Sequence, residues 1–210
     1  MLNLLKLLSM EYNVGRFQFY KAPAQTVHSS TTMDIRAAYE YITLNQDAMK
    51  HTHALRQIIG DVHAGKADGK EVSKYKSMHF DFACFSGTFS YRKDDCLIEH
   101  SGLLCLDFDH VGDNTKLWAL REKLIADEHF TTWLLFTSPS GDGLKWVIGI
   151  DLQQADHKTW FRALQNYVRF TYHLEVDEKC INISRCCFLP HDGNCYVNPV
   201  VLQNECVCPF

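Results

Sequence analysis

The 210-residue chain is 46% hydrophobic and 22% charged, the composition of an ordinary globular protein rather than a disordered or fibrous one. It has room for one generous domain, or one domain with an elaborated side unit. Its net charge of −4, from 21 Lys and Arg against 25 Asp and Glu, excludes a protein that coats nucleic acid by bulk positive charge, and leaves local recognition of a nucleotide or strand open.

The opening MLNLLKLLSM mimics a signal sequence, but its apolar stretch is short and Glu11 follows with no small-residue cleavage site. Translation from Met10 would leave the first nine residues as a prefix. No apolar run approaches the roughly 18–20 residues that span a bilayer, so no membrane partner is expected. Nine cysteines is an odd number, which rules out a complete disulfide framework and points to free thiols in a reducing cytoplasm.

Residues 12–33 read as irregular, with Pro23 and a run of Ser and Thr from Ser29 to Thr32. A helix is expected over about 34–44, with Ile35, Ala38 and Ile42 on one face. A second follows over about 47–62, capped by Asp47 and carrying Ala48, Leu55, Ile58, Ile59 and Val62. Gly65 to Lys76 is polar, with lysines at Lys66, Lys70, Lys74 and Lys76; it reads as a solvated face or loop, or as a patch for phosphate backbones. From about residue 78 the pattern turns to strand, with Met78, Phe80 and Phe82 alternating against polar neighbours, SGT as a turn and FSYR continuing.

Six elements then come in order. A strand over Gly102–Asp109 is apolar enough to be buried on both faces. A helix over about 115–127, capped by Asn114 or Thr115, puts Leu117, Leu120, Leu124 and Ile125 on one side. Strands over Thr131–Thr137 and Leu144–Ile150 flank the turn SPSGDG. A helix over about 155–172 carries Phe161, Leu164, Val168 and Tyr172, and a last strand is expected within Arg185–Leu189. This β-α-β-β-α-β order is the ferredoxin-like or RRM-like α+β arrangement. Residues 1–100 would form a helical and β-hairpin extension packed on a core at 101–200, with 201–210 as a tail.

In that topology each crossover joins parallel strands and the third strand fills the gap between them. The ends of strands one and two and the starts of strands three and four then share one sheet edge. Asp107 and Asp109, the SPSGDG turn, Lys145 and the Asp177–Arg185 stretch would converge there. Two carboxylates two residues apart on a strand project from one face and suit Mg²⁺ or Mn²⁺, which prefer hard oxygen ligands; a solvated acidic strand end is the alternative. Ser138, Ser140, Gly141 and Gly143 let backbone N–H groups approach an anion, and Lys145 adds a point charge; a hairpin turn needing glycine only for positive φ is the plainer reading. Asp177 is a candidate third metal ligand, or simply an exposed acid after a helix. Arg185 suits phosphate, or a structural salt bridge. The spacing of Cys180, Cys186, Cys187 and Cys195, with His191 nearby, lacks a C-x₂-C pair and argues against structural zinc. No Walker loop occurs.

Together the LCLDFD strand, the SPSGDGLK hairpin, Val176-Asp177 and ISRCCFLPHDGN resemble the archaeo-eukaryotic primase (primase-polymerase) superfamily. Within it they are most similar to the VirE N-terminal domain family, the front domain of primase-helicase-like proteins on mobile elements. The resemblance runs from about residue 12 to 200 and includes FSGTFSYR. It implies that Asp107, Asp109 and Asp177 bind catalytic Mg²⁺ or Mn²⁺, that Ser138, Ser140, Gly141, Gly143 and Lys145 line the phosphates of a nucleoside triphosphate, and that Arg185 meets phosphate or base. Asn194 falls where relatives carry a polar residue near the nucleotide. The implied activity is template-directed nucleotidyl transfer on DNA or RNA in mobile-element or plasmid replication, with a helicase as partner. Lys66, Lys70, Lys74, Lys76 and Arg92 are candidates for the strand groove. Lys145 stands where the superfamily usually has His, which keeps the charge but loses the imidazole's directional donor. That departure favours the alternative, a catalytically degenerate DNA- or nucleotide-binding module. A haloacid-dehalogenase-like phosphatase fits DFDHV, but no D-D or G-D-x-x-x-D follows Lys145 and only one parallel crossover is visible. A D-x-D nucleotide-sugar transferase finds no further support.

Overall fold

The computed structural model describes residues 15–203. The MLNLLKLLSM opening and the CVCPF ending lie outside the described residues. Ten strands run in chain order: β1 (Phe17–Tyr20), β2 (Thr32–Met33), β3 (Phe82–Cys84), β4 (Gly87–Phe89), β5 (Leu97–His100), β6 (Leu103–Phe108), β7 (Thr132–Thr137), β8 (Leu144–Gly149), β9 (Cys187–Phe188) and β10 (Tyr196–Val197). Among them lie helices α1 (Ile35–Leu44), α2 (Gln46–His63), α3 (Gly69–His79), α4 (Asn114–Ile125), α5 (His157–Tyr172) and α6 (Pro199–Gln203).

The strands form two four-stranded antiparallel sheets, ordered β2-β1-β3-β9 and β10-β7-β8-β6, and a two-stranded ribbon of β4 and β5. No described helix is long and apolar enough to cross a membrane. The fold is α+β.

Strand alternation decides how the second sheet is covered. Along β6, Leu104, Leu106 and Phe108 point one way and join Leu135, Trp146 and Ile148 under α4 and α5. Those helices contribute Leu117, Leu120 and Leu124, and Phe161, Leu164 and Val168, the faces their 3.6-residue periodicity predicts. Leu103, with Leu134, Phe136 and Val147, points the other way and meets Phe17, Phe19 and Ala83 of the first sheet and Ile35, Ala38 and Ile42 of α1. With both faces covered, the near-continuous apolar run of β6 has nowhere to meet water.

Caps set the helix starts. Asp34 accepts from the Ala37 N–H to begin α1, Asp113 from Lys116 to begin α4, and Asp156 from Thr159 to begin α5. The cap of α2 is Asn45, which accepts from both Asp47 and Ala48; the expected cap, Asp47, lies inside the first turn.

Residues 12–33, read as irregular, hold β1 and β2, and three further expectations are corrected. Gly65–Lys76 is a solvated helical face rather than a loop: α3 occupies Gly69–His79, opened by Asp68, and has no fully buried residue. It rests on α2 through Tyr75, whose hydroxyl meets His51 Nδ1 at 3.1 Å, so no apolar stripe announces it. Met78 therefore ends a helix and does not start a strand, and β3 and β4 do not pair as a hairpin: β3 pairs with β1 and β9, and β4 with β5.

The last strand is the third correction. Cys187–Phe188 forms β9 opposite Ala83 and Phe82 in the first sheet, drawn there by ring contacts of Phe188 with Phe80 and Phe82 at 6.3 and 6.4 Å. The second sheet is instead completed at its β7 edge by β10. The order of β6, β7 and β8, with β8 between the other two, is the one the crossover argument predicts.

Candidate functional site

The register of β6 on β8 sets Asp107 directly opposite Lys145. Alternation turns both side chains, with Cys105, toward the first sheet. Lys145 Nζ forms an ion pair with Asp107 Oδ2, and the two side chains are only 10% and 14% exposed. Burial pushes the Asp107 carboxyl above its ordinary value against the pull of Lys145, and the neighbouring Asp109 and Asp177 add to the rise. Burial works to discharge Lys145 as well, but the Asp107 carboxylate more than offsets it, so the ammonium holds its proton more tightly than usual. Asp107 Oδ1 is buried and has no hydrogen-bond partner.

The segment after α5 brings the next charges. The Asp177 N–H donates to the Asp107 carbonyl at 3.0 Å, so the backbone of this segment runs beside the end of β6. The Asp177 carboxylate opens a 3₁₀ turn over Glu178–Ile181 by accepting from Lys179 N–H, and also accepts from Arg185 Nη2 at 2.7 Å. Two ion pairs, Asp107–Lys145 and Asp177–Arg185, thus stand beside each other where β6, β8 and the 177–185 segment meet. Asp109, one residue beyond β6, is exposed. Among the described residues, no three His, Cys, Asp or Glu side chains gather closely enough to hold a metal ion.

A cleft opens between the sheets, lined by Asp107, Lys145, Arg185, Asn182, Cys105 and Cys187. Its free space is about 20 Å³, room for a water or two. The Cys105 and Cys187 sulfurs are 3.8 Å apart across it, and the described cysteines are all free thiols.

The SPSGDG turn closes on itself through Ser138 N–H to Gly143 O at 2.8 Å and Gly141 N–H to Ser138 O at 3.0 Å. Both glycines are required. Gly141 sits at φ +90°, and a Cβ on Gly143 would come within 2.2 Å of the Phe108 carbonyl oxygen. That close approach holds the turn against the end of β6. Ser138 is buried and its Oγ has no partner. From the opposite side, the buried Asp192 carboxylate accepts from Thr137 N–H at 2.7 Å, and Arg56 Nε reaches the Pro139 carbonyl at 3.4 Å.

The expected residues therefore separate into groups. Asp107, Lys145 and Arg185 share the cleft with Asp177 adjoining, whereas Ser140 and Gly141 line a broad groove beside α2 and α3. Asn194 belongs to neither: its N–H caps onto Asp192 and its carbonyl accepts from Arg121. Arg92 is structural, with its guanidinium on the Ala24 and Thr26 carbonyls and over the Phe82 ring at 5.1 Å. Lys66, Lys70 and Lys74 are exposed. Sequence reasoning missed Cys105 and Asp192, and weighed Cys187 only as a zinc ligand. Cys105 was within its reach, since it lies two residues before Asp107 on the same strand face.

A family model described as the BT4734-like N-terminal domain matches residues 75–197, more than half of the chain, and spans everything from the end of α3 to β10. No curated protein and no solved structure matches.

Proposed function

The chain belongs to the BT4734-like N-terminal domain family, and for the residues at the mouth of its cleft, whose own space admits little more than an ion or a water, we propose a primase-polymerase-like function: binding of a nucleoside triphosphate with Mg²⁺ or Mn²⁺ for template-directed nucleotidyl transfer. One observation carries the reading. Three segments far apart in sequence bring Asp107, Lys145, Asp177 and Arg185 together, and within that group Asp107 keeps a buried carboxylate oxygen with no partner. An unpaired buried acceptor is costly, and a hard cation is the ligand that such an oxygen suits.

In this reading Asp107 would hold the ion through its unpartnered oxygen, and Asp109 and Asp177, which do not form a three-carboxylate cluster with it in this structure, would close on the ion as it binds. Lys145 and Arg185 offer positive charge to the phosphates, and the 138–143 turn offers backbone N–H groups. A divalent cation bound there would activate the attacking hydroxyl and neutralise charge on the leaving pyrophosphate.

A second reading has its own observation. Lys145 already sits on Asp107 as a built-in cation, which suits a catalytically degenerate module that binds nucleotide or DNA beside a helicase. Calorimetry with dATP and Mn²⁺ separates the two, comparing the wild type with Asp107→Asn/Asp109→Asn after circular dichroism has shown both to be folded. Nucleotide binding that needs Mn²⁺ and weakens at least tenfold in the variant is the expected result. Equal, metal-independent binding in both proteins favours the degenerate module, and no binding in the folded wild type overturns both.

A further inference from the structure

A broad groove is walled by α2 and α3 on one side and by the 138–143 turn and residues 110–114 on the other, with a free volume of about 700 Å³. That is tens of times the space in the cleft and within the 300–1,000 Å³ typical of ligand sites.

Its charges are unevenly used. Both of its acids are already satisfied: Asp142 Oδ2 pairs with His110 Nδ1 at 2.7 Å, and Asp113 Oδ1 accepts from Lys116 N–H at 3.0 Å. Its basic side chains and hydroxyls are not. The side chains of Lys76 and His63 have no ion-pair or hydrogen-bond partner among the described residues, and neither do the hydroxyls of Ser73 and Ser140. His110 is held at φ +53°, a conformation that costs a non-glycine residue energy. Its Asp142 contact fixes the ring through Nδ1 and leaves Nε2 for another partner. The remaining wall is apolar, formed by half-buried Ile59, Val62 and Val72.

Spare cations and hydroxyls next to an apolar wall complement a ligand that is anionic at one end and apolar along its body. We infer that this groove binds a phosphate ester carrying a base or other apolar body, with the phosphate on Lys76, His63 and His110 and the body against Ile59, Val62 and Val72. A mononucleotide is the smallest such ligand. The exposed Lys70 and Lys74, one turn apart on α3, carry positive charge past the groove, where successive phosphates of a strand would run. The inference shares the 138–143 turn and the lysines Lys70, Lys74 and Lys76 with the nucleotidyl-transfer reading, but not the residues of its metal site, and requires no metal.

The test follows the imidazole signals of His63 and His110 by NMR in EDTA-containing buffer during titration with inorganic phosphate, AMP and a twelve-residue oligothymidylate. Saturable shifts of both imidazoles with AMP are expected, with affinity lowered at least tenfold by Lys76→Glu and retained by Lys76→Arg. Oligothymidylate binding more than tenfold tighter than AMP identifies a strand as the source of the phosphate, and equal binding identifies a free nucleotide. The inference is overturned by the absence of saturable shifts, by shifts confined to other residues, or by inorganic phosphate binding as tightly as AMP. Because EDTA removes any divalent ion, failure of the metal-dependent reading at Asp107 leaves this result standing, and failure here leaves that reading untouched.

Discussion

The cleft between the sheets and the groove beside the helices handle charge in opposite ways. In the cleft, carboxylates and cations are matched one to one, Asp107 with Lys145 and Asp177 with Arg185, inside a space that admits little more than water. In the groove the carboxylates are consumed by a histidine and a helix cap, leaving the cations open in a space tens of times larger. A buried pair holds itself together because neither charge can be left alone without its solvation penalty. The half-buried Lys76 keeps contact with water and pays less of that penalty, so it remains available to a ligand. Charge that builds the fold and charge that waits for a partner are distinguished here by burial, not by residue type.

The sharpest way to break the comparison is to remove one charge from each place. Lys145→Met strands the Asp107 carboxylate and is expected to cost about 3–5 kcal/mol of stability, whereas Lys76→Met in the groove should shift it by no more than about 0.5 kcal/mol. Urea unfolding of both variants measures the difference. If Lys145→Met is as mild as Lys76→Met, the cleft pair is not the buried ion pair described here. The double variant Asp107→Leu/Lys145→Met should regain most of the loss, because it removes both charges together.

The turn that borders both places comes next in size. Gly143→Ala drives a methyl group into the Phe108 carbonyl and should cost about 2–3 kcal/mol through displacement of the strand end. Gly193→Ala, which has nothing within 4 Å of the new atom, serves as its control in the same thermal melts.

The smallest effect concerns acid. Gly102 N–H donates to His100 Nδ1, His100 Nε2 meets His157 Nδ1 at 3.1 Å, and His157 Nε2 lies 3.4 Å from the Cys180 carbonyl. That chain fits two neutral rings. Burial, and then the neighbouring His157, lowers the His100 pKa from 6.5 to about 4, and burial lowers that of His157 as well. Between those values the unfolded chain binds a proton that the folded one refuses. Stability therefore rises with pH from about 4 to 6.5 and is lost on acidification through the same window. The partly exposed His100 should contribute about 1 kcal/mol after solvent screening is allowed for. Denaturation midpoints at pH 4.5 and 7 should lie closer together in His100→Gln than in the wild type.

Much of the second sheet and its helices was legible. The apolar faces of α1, α4 and α5 follow from spacing alone, and the meeting of Asp107, Lys145 and the 177–185 stretch at one sheet edge follows from the crossover order, though not the ion pair that Asp107 makes with Lys145. What escaped has physical causes. Helix α3 buries no residue fully, so it leaves no periodic stripe to read. The partner of Cys187–Phe188 was decided by aromatic packing against Phe80 and Phe82, a contact more than a hundred residues distant in sequence. The split between cleft and turn also lay beyond the sequence, because Ser140 and Lys145, five residues apart, open onto different depressions.

Strand β9 has a consequence for how the chain is made. It pairs with β3 but is synthesised about a hundred residues later, so as the polypeptide leaves the ribosome the first sheet has an open edge at Phe82–Cys84. An unpaired edge of this kind is a template for wrong associations, and long-range pairing is slow to form. The vulnerable interval for the newborn protein therefore falls between the emergence of β3 and that of β9. Ribosome-bound nascent chains stalled within it should engage holding chaperones more strongly than chains stalled behind an added linker long enough for β9 to clear the ribosome.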